Sequence, residues 1–179
     1  MRILGIDPGL HATGFGVIDV SGSSLKLVDA GAIRPSPSQP LSKRLGQLHE
    51  GLKQVIESHR PQLMAVESVY THHEFVTTAA LMAHARGVIC LLCDQHGLEL
   101  TEYLPNRIKK ALTGHGTASK EQVSRAVGMW LGLDTSSWAS DVTDALALAI
   151  AHAHMAVSAV PGTAAVRRKL PAALAKALR

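Results

Sequence analysis

A chain of 179 residues with 46% hydrophobic content is long enough for one compact domain with a substantial core and too short for two. No run approaches the ~18 apolar residues of a membrane span and no basic, apolar leader opens the chain, so we expect a soluble, cytoplasmic protein without a membrane partner. The formal net charge of +4 invites an anionic partner, but residues 161–179 hold Arg167, Arg168, Lys169, Lys176 and Arg179; thirteen basic groups elsewhere face fourteen acidic ones, so overall charge decides nothing.

Arg2 to Asp7 reads as an apolar strand ended by Pro8-Gly9, residues 14–20 as a second strand, and residues 25–33 as a half-exposed third. Their short connections predict an antiparallel meander. After a Pro-rich loop, Leu41, Leu45, Leu48, Leu52, Val55 and Ile56 mark an amphipathic helix that ends before Pro61. Leu63 to Val66 forms a fourth strand capped by Glu67. A polar loop with Tyr70, His72 and His73 leads into a long helix from about Glu74 to Gln95, stopped at Gly97. Cys90 and Cys93 lie in its apolar stretch; with no second cysteine pair, they read as buried small hydrophobes.

Residues 98–103 predict a fifth strand, Pro105 suits the first turn of a short helix through Leu112, and residues 113–118 form a Gly-bearing loop. Helices over 120–131 and from Asp141 to about Val160 complete the set. The element order predicts an α/β fold, a mixed five-stranded sheet flanked by helices. Residues 1–160 form the domain, and 161–179, rich in Ala, Pro and Arg/Lys, are expected to be a flexible basic tail.

Asp7 and Glu67 end apolar strands, while Asp141 and Asp144 stand three apart at the start of an apolar helix, on one face. Like charges buried together are costly unless a metal neutralises them, and ligation by oxygen alone suits Mg²⁺ or Mn²⁺. Two ions about 3.5–4 Å apart can drive an in-line phosphoryl displacement, for which carboxylates from several elements are the minimal equipment. Asp7 would bridge the ions, with Glu67 on one side and the Asp141/Asp144 pair on the other. Arg107, Lys109, Lys110, Lys120 and Arg125 cluster in sequence, opposed there only by Glu121, which suits a phosphodiester backbone. Plainer roles compete: strand-end capping for Asp7 or Glu67, a helix N-cap for Asp141, ordinary surface lysines, satisfied core or surface histidines at 152 and 154, and solvated loop histidines at 72, 73 and 115.

These residues belong to an ordered series: Gly5-Ile6-Asp7-Pro8-Gly9 with Thr13-Gly14-Phe15-Gly16, then Glu67-Ser68-Val69-Tyr70, Ala85-Arg86-Gly87-Val88, Lys109 with residues 113–123, and Asp141 to Ala149. Over residues 2 to 155 the series resembles the RuvC-type Holliday-junction resolvases. The resemblance implies an RNase H-like nuclease that acts as a homodimer in recombination and repair, making paired symmetric incisions in four-way junction DNA. It implies two Mg²⁺ or Mn²⁺ ions per active site, with Asp7, Glu67, Asp141 and Asp144 as catalytic ligands and Lys109 and Lys120 near the phosphates. Tyr70 falls where the family has an aromatic that stacks on unpaired bases, a contact worth about 1–3 kcal/mol. Arg107 and Lys110 join it as DNA-binding candidates, and a branch-migration motor is a further implied partner. Met82-Ala83-His84 and a shifted loop at 71–75 depart from the family pattern, which leaves sequence preference open. Other readings are a flap or hybrid nuclease, a silent junction-binding module, and an actin-like nucleotide-binding protein, whose second phosphate-binding domain 179 residues cannot hold.

Overall fold

Five strands, β1 (Arg2–Asp7), β2 (Thr13–Ser21), β3 (Ser24–Ile33), β4 (Leu63–Glu67) and β5 (Glu99–Tyr103), form one sheet in the order β3-β2-β1-β4-β5. The computed structural model describes residues 1–68 and 76–157. The first three strands are the expected antiparallel meander, and β2 turns into β3 across Gly22, whose φ of 55° is open to glycine without steric cost. β4 and β5 add in parallel on the other side of β1, each reached through a helix as parallel pairing requires: α1 (Leu41–His59) and then α2 (Val76–Gln95). The mixed five-stranded α/β architecture expected from the element order is present.

Strand alternation divides the core in two. Leu4, Ile6, Val17, Met64 and Val66 pack against Leu48, Leu52 and Ile56 of α1 and Ala85, Ile89 and Leu92 of α2. Ile3, Ile18, Leu63, Ala65 and Tyr103 face the other way, against α3 (Pro105–Thr113), α4 (Lys120–Leu131) and above all α5 (Ser140–Val157). Every residue of α5 from Ala145 to Ala151 is buried, as its uniformly apolar sequence demands. The period of two therefore sends Asp7, after Ile3 and Gly5, and Glu67, after Leu63 and Ala65, toward α5.

Three glycines set how closely α5 lies on the sheet. Gly5 pairs with Gly16, and Gly14 with Asp7, so they make a bare patch across β1 and β2. A Cβ at Gly5 would lie 2.1 Å from the Ala145 carbonyl oxygen, and one at Gly14 1.9 Å from that of Asp141. The helix backbone thus rests directly on strand backbone, and its first turns come level with the strand ends.

The expectations of a buried Cys93 and of a satisfied His152 are met. Cys93 is buried, its thiol donating to the Leu98 carbonyl at 3.1 Å, and Cys90 is half-buried. His152 is a core histidine whose Nδ1 lies 2.8 Å from the Tyr103 hydroxyl, and burial lowers its pKa. Among the described residues no helix is long and apolar enough to cross a membrane. The long helix is described from Val76 to Gln95 and the last from Ser140 to Val157; Glu74, where the first was expected to begin, lies outside the described residues. Tyr70, His72, His73 and the 161–179 tail lie outside the described residues.

Candidate active site

Parallel strands β1 and β4 end side by side, so Asp7 and Glu67 emerge as neighbours beneath the N-terminal half of α5, where Asp144 faces them. The three carboxylates line one cavity of about 250 Å³ together with Lys109 of α3 and Lys120 of α4. Each lysine has a local reason for its place. Pro105 opens α3 and Gly114, at φ 84°, ends it, which holds Lys109 on a short, well-delimited helix. Lys120 is the first residue of α4, fixed by a capping box: the Ser119 hydroxyl accepts from the Gln122 backbone N–H at 3.3 Å and the Gln122 side chain accepts from the Ser119 N–H at 2.8 Å.

Charge is the distinguishing property of this cavity. Burial, then the charges of Glu67, Asp144 and Asp141, push the Asp7 carboxyl up to about 7, with Lys120 opposing. Burial and Asp144 also raise Glu67, against Lys120 and Lys109. Lys120 Nζ lies 3.4 Å from Asp144 Oδ2, and that carboxylate raises the lysine's pKa. Lys120 does not offset burial and the three neighbouring acids, so the Asp7 carboxyl stays raised. An all-oxygen, over-negative donor set fits a hard divalent cation. Among the described residues no three His, Cys, Asp or Glu side chains are gathered closely enough to form a ready metal cage.

Asp141 stands apart from this group. It lies in the first turn of α5, where the helix dipole favours an acid, and its carboxylate sits 3.8 Å from the Arg34 guanidinium at the end of β3. Its charge still reaches Asp7, but its side chain does not line the cavity. Arg107 and Lys110 are exposed on α3 and also stay off the cavity wall. A wider groove of about 720 Å³ adjoins the cavity at Lys120 and Asp144 and continues past Arg125, Met129 and Trp138.

Sequence reading missed three features. Arg34 carried no signal, because its partner lies more than a hundred residues away. Arg86 interrupts an otherwise apolar stretch of α2, a visible oddity; its Nη1 donates to the Glu67 carbonyl at 3.1 Å. The glycines at 5, 14 and 16 stand in the motif series, but their common role beneath α5 appears only when cross-strand pairing places them together.

The chain matches the family model described as crossover junction endodeoxyribonuclease RuvC over residues 3–152. Proteins with that description from Rhodopirellula baltica and Halorhodospira halophila are 44% and 46% identical to it, over 86% of this chain and 86% and 90% of theirs. Thermus thermophilus RuvC in complex with a Holliday junction substrate superposes with a TM-score of 0.82 at 33% identity, covering 87% of this chain and 94% of that one. A fowlpox virus resolvase solved with Holliday junction DNA, 10% identical with a TM-score of 0.55 over 88% of this chain and 99% of its own, shares the fold alone.

Proposed function

Because the chain belongs to the RuvC family of crossover junction endodeoxyribonucleases, we propose that it resolves four-way DNA junctions by hydrolysing phosphodiesters at the Asp7–Glu67–Asp144 cavity. The observation that carries this reading is the convergence of three acids from β1, β4 and α5 with Lys109 and Lys120 in one over-negative cavity. Asp7, Glu67 and Asp144 would hold Mg²⁺ or Mn²⁺, two ions per site, with Asp141 joining from the rim once Arg34 turns to a phosphate. When bound, such ions supply Lewis acidity and neutralise charge on the reacting phosphate. Lys120 exchanges Asp144 for a phosphate oxygen, and Lys109 approaches from α3; both are mobile point charges suited to a phosphate whose charge rises during displacement. Arg107 and Lys110 extend the basic surface along the backbone, and Tyr70 supplies the face on which an unpaired base stacks.

The reading includes a homodimer, since paired incisions need two sites. Its support is the outer face of α2, where Ala80, Ala83, Gly87 and Leu91 are exposed on the side opposite the buried Ala85, Ile89 and Leu92. Leu91 is 51% exposed, on a helix apolar enough to be covered on both sides. Leu91→Glu is expected to leave the fold intact but shift the protein from dimer to monomer in sedimentation, with loss of paired cutting; a variant that stays dimeric removes α2 from the interface.

The reading is tested by a cleavage panel of four-way junction, flap, RNA–DNA hybrid and linear duplex, each with Mg²⁺ or with EDTA. Metal-dependent cutting that favours the junction is the expected result. A preference for the hybrid or flap would identify a different nuclease on the same fold.

A further inference from the structure

Glu67 lies one residue beyond the last paired residues of β1 and β4, Ile6 and Val66. No strand on that side takes up its carbonyl, and a side chain does so instead. Arg86, only 17% exposed, donates from Nη1 to the Glu67 carbonyl at 3.1 Å and pairs through Nη2 with the Glu102 carboxylate of β5. Just past it, the Ser68 N–H donates to the Tyr103 carbonyl at 2.9 Å and ties the strand end to β5. One planar guanidinium therefore bridges the ends of two adjacent strands.

Arg86 reaches these groups from α2, on the face of the sheet opposite α5, whereas the Glu67 carboxylate points toward α5 into the cavity. Arg86 does not line that cavity. Its influence on the carboxylate must pass through the peptide of Glu67, a residue that pairs with Tyr103 of β5 but has no partner residue on the β1 side, where Arg86 takes its carbonyl. A guanidinium fork holds two partners in fixed relation, and an ammonium does not.

We infer that Arg86 is a positioning residue: clamped to Glu102, it fixes the backbone of Glu67 so that the carboxylate is preset for divalent-cation binding on the other face of the sheet. This inference rests on the cavity being the metal site. Residues that orient a metal ligand in this way typically change affinity or activity by about 10–100-fold when removed.

The test uses the full-length chain as Arg86→Lys and Glu102→Gln, with thermal melts to establish folding. Mn²⁺ affinity is measured without DNA by electron paramagnetic resonance, and junction binding is measured in EDTA. Arg86→Lys is expected to bind Mn²⁺ about tenfold more weakly, to regain its maximal cleavage rate at saturating metal, and to bind the junction as the wild type does. Glu102→Gln shifts Mn²⁺ affinity the same way by less. A purely structural role would lower melting temperature and leave the Mn²⁺ midpoint of the folded protein unchanged. Folded Arg86→Lys that binds Mn²⁺ within about twofold of wild type overturns the inference. If Arg86→Lys does not fold, an unchanged midpoint in Glu102→Gln overturns it. Wild-type protein that binds no Mn²⁺ defeats the reading of the cavity itself, a separate outcome.

Discussion

Asp7→Asn is expected to abolish junction cleavage, by about 10³-fold or more, while leaving junction binding in EDTA unchanged. The amide keeps the shape of the side chain and loses the charge that a cation needs. The same substitution carries a stability signature with a definite sign. In the fold the Asp7 carboxyl titrates at about 7, against 3.8 when unperturbed, because burial and neighbouring acids disfavour its charge. The native state therefore holds a proton that the unfolded chain has released. Metal-free stability falls as pH rises from about 4 to about 7, and above that the native protein carries the full cost, on the order of 4 kcal/mol at most. Without metal at pH 8, Asp7→Asn should melt above wild type by about 5 °C, an advantage that disappears near pH 4. Divalent metal should raise the melting temperature of wild type and not of the variant. An Asn variant that still cuts, or one that melts with wild type at pH 8, contradicts this account of the cavity.

Gly14→Ala and Gly5→Ala should be the most destabilising single-methyl additions in the sheet. The new Cβ would sit 1.9 Å from the Asp141 carbonyl oxygen in the first case, and 2.1 Å from the Ala145 oxygen and 2.8 Å from the Ala149 nitrogen in the second. These are helix backbone atoms with no rotamer to escape into, so α5 must lift from the sheet and its buried contacts at Leu146, Leu148 and Ile150 must loosen. Overpacking of this kind costs about 1–3 kcal/mol, more where backbone must move, which corresponds to a fall of roughly 5–10 °C in Tm. Because α5 also carries Asp141 and Asp144, cleavage should drop further than the folded fraction. Gly46→Ala is the internal control: on the exposed face of α1 its Cβ would meet nothing within 4 Å, and helix propensity predicts a gain of up to about 1 kcal/mol. If Gly14→Ala melts and cuts as wild type does, the close seating of α5 is not what orders the site.

Much of this arrangement was legible from local pattern, because strand and helix periods are local. The three-strand meander, the two crossover helices and the acidic ends of β1 and β4 follow from alternation, turn residues and the position of each carboxylate at the end of an apolar run. The period of two even implies that Asp7 and Glu67 keep company with Ile3 and Leu63. Pairings across long sequence separations were not legible. Nothing near Arg34 announces Asp141, so the fourth carboxylate was expected in the cavity group and stands at its rim beside a guanidinium. Nothing near Arg86 announces the carbonyl of Glu67. Gly5, Gly14 and Gly16 become one feature only when the β1–β2 register sets them across from Gly16, Asp7 and Gly5. The Ser119–Gln122 capping box is a different case: its Ser-x-x-Gln spacing was readable and places Lys120 at a helix start.

In the proposed mechanism Asp7, Glu67 and the α5 aspartates form a site that a divalent cation occupies and organises. The decisive measurement is Mn²⁺ titration of the DNA-free wild-type protein at pH 8, beside Asp7→Asn. Saturable binding to wild type that Asp7→Asn abolishes is expected. Equal binding to both proteins, or no saturable binding to wild type alone or with a junction added, would contradict it.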